Sequence, residues 1–494
     1  MDRQIRRLGF GLLVLFLVLF AQINYLQVFA ADRIENNPAN AFRQLRAEYS
    51  VDRGSILAAD GTTVLASSRK STGDLKYQRR YPQGERYADI TGFYSFVFGR
   101  TELEQSFNEY LVGDAGELLP QTLTDLVLGR DKRGATIVTT IDPDLQAAAE
   151  AALGSEPGAV VAIEPSTGNV LALVANPTFD PNELSVQDGE AVRSAWDRLN
   201  ADPDKPLLSR ANDHLFPPGS TFKLVTAAAA LENGFGPEST WPNPRELDLP
   251  LTDATLSNFG GEHCLGGAAQ ITLAQALQIS CNVTFGEIGL ELGAERLAEE
   301  ARKFGFTATP GQDEVPFDIP WVSGVFPEAI TFEGRDPAVA LSAIGQQDVT
   351  ANPLQMALVA AAIANDGILM RPRLVSEIRD PSGRVIATFD PEEYSQPLSA
   401  SNAAALTQMM VSVVSAGTGT AAQIPGVTVA GKTGTAEHGE GAAPHAWFTS
   451  FAPAEDPRVA VAVIVLDGGN LGSEATGGQI AAPIARAVLE AALG

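Results

Sequence analysis

Three short clusters hold residue types that can perform acyl transfer. Serine is a weak nucleophile until a base takes its proton. Ser220 stands three residues before Lys223, at the head of an apolar, helix-like run over residues 221–231. At that spacing the two side chains share one helix face. Pro217-Pro218-Gly219 makes a turn just before the serine. The hydroxyl is thereby presented at a helix N-terminus, where free amides and the dipole favour developing negative charge. Lys223 must be neutral to accept a proton, which burial or a second cation brings about. A hydroxyl and an amide follow at Ser280 and Asn282, interrupting another helical stretch at residues 272–290. Lys432, Thr433, Gly434 and Thr435 continue an alternating, strand-like segment from Val427. An edge strand of that composition can pair with an extended peptide while its threonines hold a carboxylate. Its glycine leaves room for the ligand backbone.

Each cluster also has a purely structural reading. Ser220 can cap a helix, Ser280 and Asn282 can cap a turn, and Lys432 can be a solvated strand end. A second Ser-x-x-Lys, Ser67 to Lys70, has no apolar run after it and reads as solvated loop. The pair alone therefore identifies nothing. The argument rests on all three clusters in order, 60 and 152 residues apart.

The elements that must position them follow from hydrophobic period. Residues 159–163 and 170–175 read as a β-hairpin around a turn at 165–168, and 446–451 and 459–466 as two late strands. Residues 479–493 read as a closing helix. Alanine-rich helices at 221–231, 272–290 and 353–365 lie between. Early strands, a helical middle and late strands predict an α+β fold, one antiparallel sheet covered by helices. Upstream, residues 53–57 with the turn Asp60-Gly61 and the β-branched segment 136–141 read as strands, and 144–153 as a helix. Two folded units are expected from 494 residues, with the boundary near residue 155.

A net charge of −26 excludes a nucleic-acid binder, which needs a basic surface. It leaves open a locally positive cleft for an anionic substrate. Arg3, Arg6 and Arg7 precede an apolar run at residues 8–30, long enough to span a bilayer with its basic flank inside. A cleaved signal peptide, cut after Val28-Phe29-Ala30, is the competing reading, and both export the remainder. The expected order is a cytoplasmic tail at 1–7, an anchor at 8–30, a non-catalytic domain at 31–155 and a catalytic domain at 156–494. His214, His263, His438 and His445 show no metal-ligand spacing and read as structural or surface residues. No metal and no cofactor are expected. Trp447 and Phe448 read as core. Cys264 and Cys281 are too few for a disulfide scaffold but could pair outside the membrane, tethering the Ser280 loop with ~3 kcal/mol.

The triple Ser-x-x-Lys, Ser-x-Asn and Lys-Thr-Gly resembles the active site of penicillin-binding proteins and serine β-lactamases. Arg53-Gly-Ser-Ile-Leu with Asp60-Gly61, Glu104 in Leu-Glu-Gln, Thr140-Ile-Asp-Pro with Leu145-Gln146, and Gly345-Gln346 with Asn352-Pro-Leu-Gln-Met look like class B penicillin-binding proteins. The short N-terminal region and closing helix look like the PbpA-type members of actinobacteria. The region before residue 155 leaves no room for a glycosyltransferase domain. Cys281 stands where many relatives carry another small residue.

The resemblance implies a penicillin-binding transpeptidase domain beside a pedestal, on a single-pass membrane protein with its catalytic domain outside. It implies a D,D-transpeptidase that cross-links peptidoglycan stem peptides and is acylated by β-lactam antibiotics, without cofactor, in cell-wall biogenesis and cell division. In that reading Ser220 is the nucleophile and Lys223 the base, Ser280 and Lys432 relay a proton, and Asn282 binds the peptide. The amides of Ser220 and Thr435 form the oxyanion hole, and Thr433, Gly434 and Thr435 hold the substrate. A SEDS-type glycan polymerase is the implied partner, beside the plasma membrane itself. The alternatives are a D,D-carboxypeptidase and a non-catalytic β-lactam-binding scaffold. A β-lactamase is disfavoured, since no Glu-x-x-Leu-Asn run lies between Asn282 and Lys432.

Overall fold

The computed structural model describes residues 2–26, 48–73, 75–119, 125, 127–439 and 441–494. Residues 27–30 of the expected anchor, with the alternative cleavage site, lie outside the described residues.

The chain opens with an apolar helix at Asp2–Asn24 that is not buried against the rest of the molecule. Among the described residues it is the one helix long and apolar enough to cross a membrane. Phe16 and Phe20 are largely exposed, an arrangement that suits lipid and not water.

Five antiparallel strands form the sheet that carries the chemistry. Their order is Ala430–Ala436, His445–Ala452, Val459–Val465, Gly158–Ile163, Val170–Asn176. Both faces are covered, so these strands are apolar throughout, and their period of two divides them between two cores. Val461, Val463, Val160 and Ala162 point to one side, against helices Pro143–Leu153 and Ala482–Leu493. Ala460, Ala462, Ala159 and Val161 point to the other, where small side chains admit the alanine-rich helix Pro353–Ala364. That helix is apolar all round and buried, as a central helix must be. Asn352 caps it, accepting from the Gln355 amide at 2.9 Å. Helix Pro143–Leu153 packs on this sheet, so structurally it belongs with the residues after 155.

A second, six-stranded sheet has the order Val385–Thr388, Val375–Arg379, Thr136–Thr139, Ile56–Leu57, Val64–Lys70, Tyr77–Arg80. Four of its strands come from the N-terminal region and two from far downstream. Thr139 pairs with Val375. Ser67 and Lys70 lie on the strand Val64–Lys70, not in a loop. Three residues apart on a strand, they face opposite ways and cannot act together.

Beneath this sheet Glu104 is buried between two guanidinium groups, Arg79 Nε at 2.5 Å and Arg53 Nε at 2.6 Å. Tyr81 donates to the same carboxylate, Arg53 donates to Asn108, and Arg79 donates to the Gly54 carbonyl. Burial alone would raise the Glu104 pKa, but Arg79 and Arg53 hold it below the ordinary carboxylate value.

Candidate active site

Ser220 lies in a single 3-10 turn, Gly219–Thr221, that runs into the α-helix Lys223–Glu232. The turn is tied down from three sides. Gly219 donates to the Gly345 carbonyl at 3.0 Å, Trp447 Nε1 to the Pro217 carbonyl at 3.0 Å, and Thr221 Oγ1 to the Pro218 carbonyl at 2.7 Å. Gly219 has φ +52°, and a Cβ there would come within 2.9 Å of the Thr435 carbonyl. Only glycine allows this turn to pack so closely on the strand bearing Lys432. Ser220 itself is half-buried, and among the described residues nothing is hydrogen-bonded to its hydroxyl.

The helical stretch around residue 280 is two helices, Leu273–Gln278 and Asn282–Lys303. Between them Ser280 takes the left-handed conformation, φ +61°, a strained choice for a residue with a Cβ. Two restraints hold it. Cys264 and Cys281 form a disulfide, their Cα atoms 6.1 Å apart. Asn258 accepts from the amides of Asn282 and Val283 at 3.0 and 3.1 Å, capping the second helix from outside the chain segment.

Lys223 Nζ is fully buried and touches the Ser280 carbonyl at 2.8 Å, Asn282 Oδ1 at 2.7 Å and Ser280 Oγ at 3.3 Å. Asn282 Nδ2 donates to the Ser257 carbonyl, which fixes its oxygen towards the lysine. Phe285 lies beneath, its ring centroid 5.5 Å from Nζ. Lys432, equally buried, donates to Ser280 Oγ at 2.8 Å and to the Thr433 carbonyl at 2.9 Å. Burial and the neighbouring Lys432 charge push the Lys223 pKa well below that of a free lysine. Burial brings Lys432 down to about 7.

Among the described residues the edge strand Ala430–Ala436 pairs on one side only, Gly434 opposite Trp447 and Thr435 opposite Ala446. Its other edge is open to an added strand. Thr433 is buried, its hydroxyl 2.6 Å from that of Thr418, and Thr435 is half-buried beside the Ser220 turn. Trp447 and Phe448 are wholly buried. The structure thus gathers Ser220, Lys223, Ser280, Asn282, Lys432, Thr433, Gly434 and Thr435 at one edge of the five-stranded sheet. Asn258 and Thr418 join them without any motif of their own. Asn258 had one sequence signal, its place just before Gly260-Gly261, a turn that ends a short strand.

A single antiparallel sheet covered by helices on both faces, with a half-buried serine beside a buried lysine at its edge, is the architecture of the penicillin-recognising serine acyltransferases. Residues 158–490 match the penicillin-binding protein transpeptidase domain, and residues 53–137 the penicillin-binding protein A dimerisation domain. The chain belongs to the penicillin-binding protein transpeptidase family. It is 43% identical over 502 residues to the peptidoglycan D,D-transpeptidase PbpA of Mycolicibacterium smegmatis, covering 100% of this chain and 99% of that one. The Mycobacterium tuberculosis PbpA is 41% identical, with the same coverage. Among solved structures, the ceftriaxone acyl-enzyme complex of M. tuberculosis penicillin-binding protein A superposes with a TM-score of 0.84 at 41% identity. It covers 91% of this chain and 100% of that one. The penicillin G acyl-enzyme complex gives 0.82 over 90% and 100%.

Proposed function

We propose that the protein is a serine D,D-transpeptidase of peptidoglycan synthesis in which Ser220 is acylated and Lys223 is its general base. The supporting observation is the state of Lys223. A neutral amine has two N–H groups and one lone pair. Both hydrogens have acceptors waiting, the Ser280 carbonyl and Asn282 Oδ1. The lone pair is then left for a hydroxyl proton, and burial beside Lys432 favours the neutral amine that carries it.

Ser220 Oγ attacks the carbonyl of the penultimate D-Ala of a stem peptide as its proton passes to Lys223. The tetrahedral oxyanion is received by the backbone amides of Ser220 and Thr435, one such donor being commonly worth ~10²–10³ in rate. Ser280, with Lys432 behind it, returns a proton to the leaving amine, and the C–N bond breaks to release D-Ala and leave a Ser220 ester. Asn282 steadies the donor peptide. Thr433, Gly434 and Thr435 receive the strand-like donor and its terminal carboxylate. An amine of a second stem peptide attacks the ester and restores the serine. In a β-lactam the broken amide lies within the ring, so the leaving group stays attached and the ester persists.

The N-terminal helix serves as a single-pass anchor with its arginines inside and the catalytic domain on the outer face. The region ahead of helix Pro143–Leu153 acts as the pedestal, and the partner is a SEDS-type glycan polymerase. Labelling of the full-length protein in detergent with fluorescent penicillin tests the assignment. A stable adduct is expected, and Ser220→Ala is expected to abolish it. An adduct that persists in the variant, or none in the wild type, would sink the reading. Rapid loss of the adduct would mark a hydrolase.

A further inference from the structure

Three of the four histidines gather at a place the transpeptidase chemistry does not use. His445 opens the strand His445–Ala452, opposite Ala436 of the edge strand. Its ring lies on that of His438, centroids 3.8 Å and planes 8° apart. Phe216 meets His445 edge-on at 5.4 Å, and His214 stacks on Phe216 at 4.3 Å. Asp467, just beyond the strand Val459–Val465, reaches in with Oδ1 at 2.9 Å from His438 Nε2 and 3.7 Å from His445 Nδ1. The three side-chain donor atoms all lie within 4.8 Å of one another.

As a hydrogen-bonded group this arrangement has too many acceptors. His438 Nε2 faces both Asp467 Oδ1 and the Ala443 carbonyl, the latter at 2.8 Å, with at most one proton to give. His445 Nδ1 accepts from the Asp467 amide at 3.1 Å, so its lone pair is engaged with that backbone N–H at the edge of the same cluster. We propose that His438, His445 and Asp467 bind a borderline divalent transition-metal cation of the zinc class, with the Ala443 carbonyl or water as fourth ligand.

The donor set, imidazole with carboxylate, suits zinc and its neighbours and not magnesium or calcium. Metal–ligand bonds of ~2.1 Å place tetrahedral donor atoms about 3.4 Å apart. The present separations of 2.8, 2.9 and 3.7 Å lie either side of that value, and the stacked rings must turn out of parallel for both nitrogens to meet one ion. Entry of the ion replaces the Asp467 amide bond to His445. Asp467 is followed by Gly468 and Gly469, both at positive φ, which gives this backbone room to turn. Both cysteines are in the disulfide, so no thiol competes. The ion would join the end of the edge strand to the strand beside it and, through Phe216, to the segment leading into Ser220.

The test is equilibrium dialysis of the chelator-treated, full-length protein in detergent against Zn²⁺. Metal is counted by mass spectrometry, and Co²⁺ is the spectroscopic probe. Close to one equivalent per chain is expected, with the visible absorption of tetrahedral Co²⁺. His438→Ala and Asp467→Ala should each weaken binding at least ~10-fold, as loss of a ligand does. Both side chains reach solvent, and penicillin labelling at the wild-type level reports that the variants remain folded. Stoichiometry far below one, or zinc binding that neither variant changes, would overturn the site.

Discussion

In the N-terminal region Arg53 and Arg79 are buried on either side of Glu104. In the cleft Lys223 and Lys432 are buried on either side of Ser280. Each place sets two basic side chains around one small polar group, deep in protein. A carboxylate stands between the arginines, so the charges stay and the group acts as a brace. A hydroxyl stands between the lysines, with no counter-charge on it, so burial drives them towards neutrality. The choice of base matters equally. Guanidinium keeps its proton whatever its surroundings, whereas an ammonium group yields it. The same degree of burial thus leaves a charged brace in one region and amines pushed towards neutrality in the other.

The comparison breaks most visibly if the bases are exchanged. Lys223→Arg puts a permanent cation where a neutral amine is needed, and penicillin acylation should fall by ~10²–10⁴ with the fold retained. Stopped-flow acylation measures this, and an acylation rate near wild type would show that Lys223 is not the base. Next in size, Glu104→Gln leaves two buried guanidiniums without a counter-charge and should cost ~3–5 kcal/mol. The urea midpoint should drop, while protein still folded acylates at the wild-type rate. A midpoint unchanged from wild type would mean the ion network braces nothing.

The smallest effect is the response to pH, which has the same sign in the two regions but falls in a different window for each. Lys432 titrates near 7 when folded and near 10.5 when unfolded. Between those values the unfolded chain holds a proton that the folded one lacks, so stability rises with pH across that window. The slope is at most about 1.4 kcal/mol per pH unit for each such lysine. Lys432→Met should flatten it. Glu104, whose folded pKa is lowered, contributes stability that is full above its ordinary value of 4.5 and is lost as pH falls through the folded pKa. Urea titrations at pH 7, 9 and 4 separate the two, and a stability falling from pH 7 to 9 would contradict the lysine account.

The strands and helices around the cleft were legible because burial on both faces leaves continuous apolar runs such as residues 459–465, with turn residues between them. The three clusters that meet in the cleft were legible because each is short and self-contained. Asn258 was not. Its work is done on amides 24 and 25 residues away, and one asparagine near a turn carries no period. Thr418 was hidden in the same way, its partner being 15 residues on. The histidines read as scattered because only the pairing of Ala436 with His445 and the return of Asp467 after the next strand bring them together. Ser67 to Lys70 was misjudged as loop since that polar strand lacks the alternation that usually marks one.

The six-stranded sheet sets a timetable for biogenesis. Thr136–Thr139 pairs with Val375–Arg379, so while the chain is being made the first four strands must wait, one edge unpartnered, for a segment far downstream. At ~5–20 residues per second the interval from Thr139 to Val375 is roughly 10–50 s. For that time a row of unsatisfied backbone groups is available to neighbouring nascent chains. The N-terminal region therefore depends on the catalytic one for its completion, although it is synthesised first.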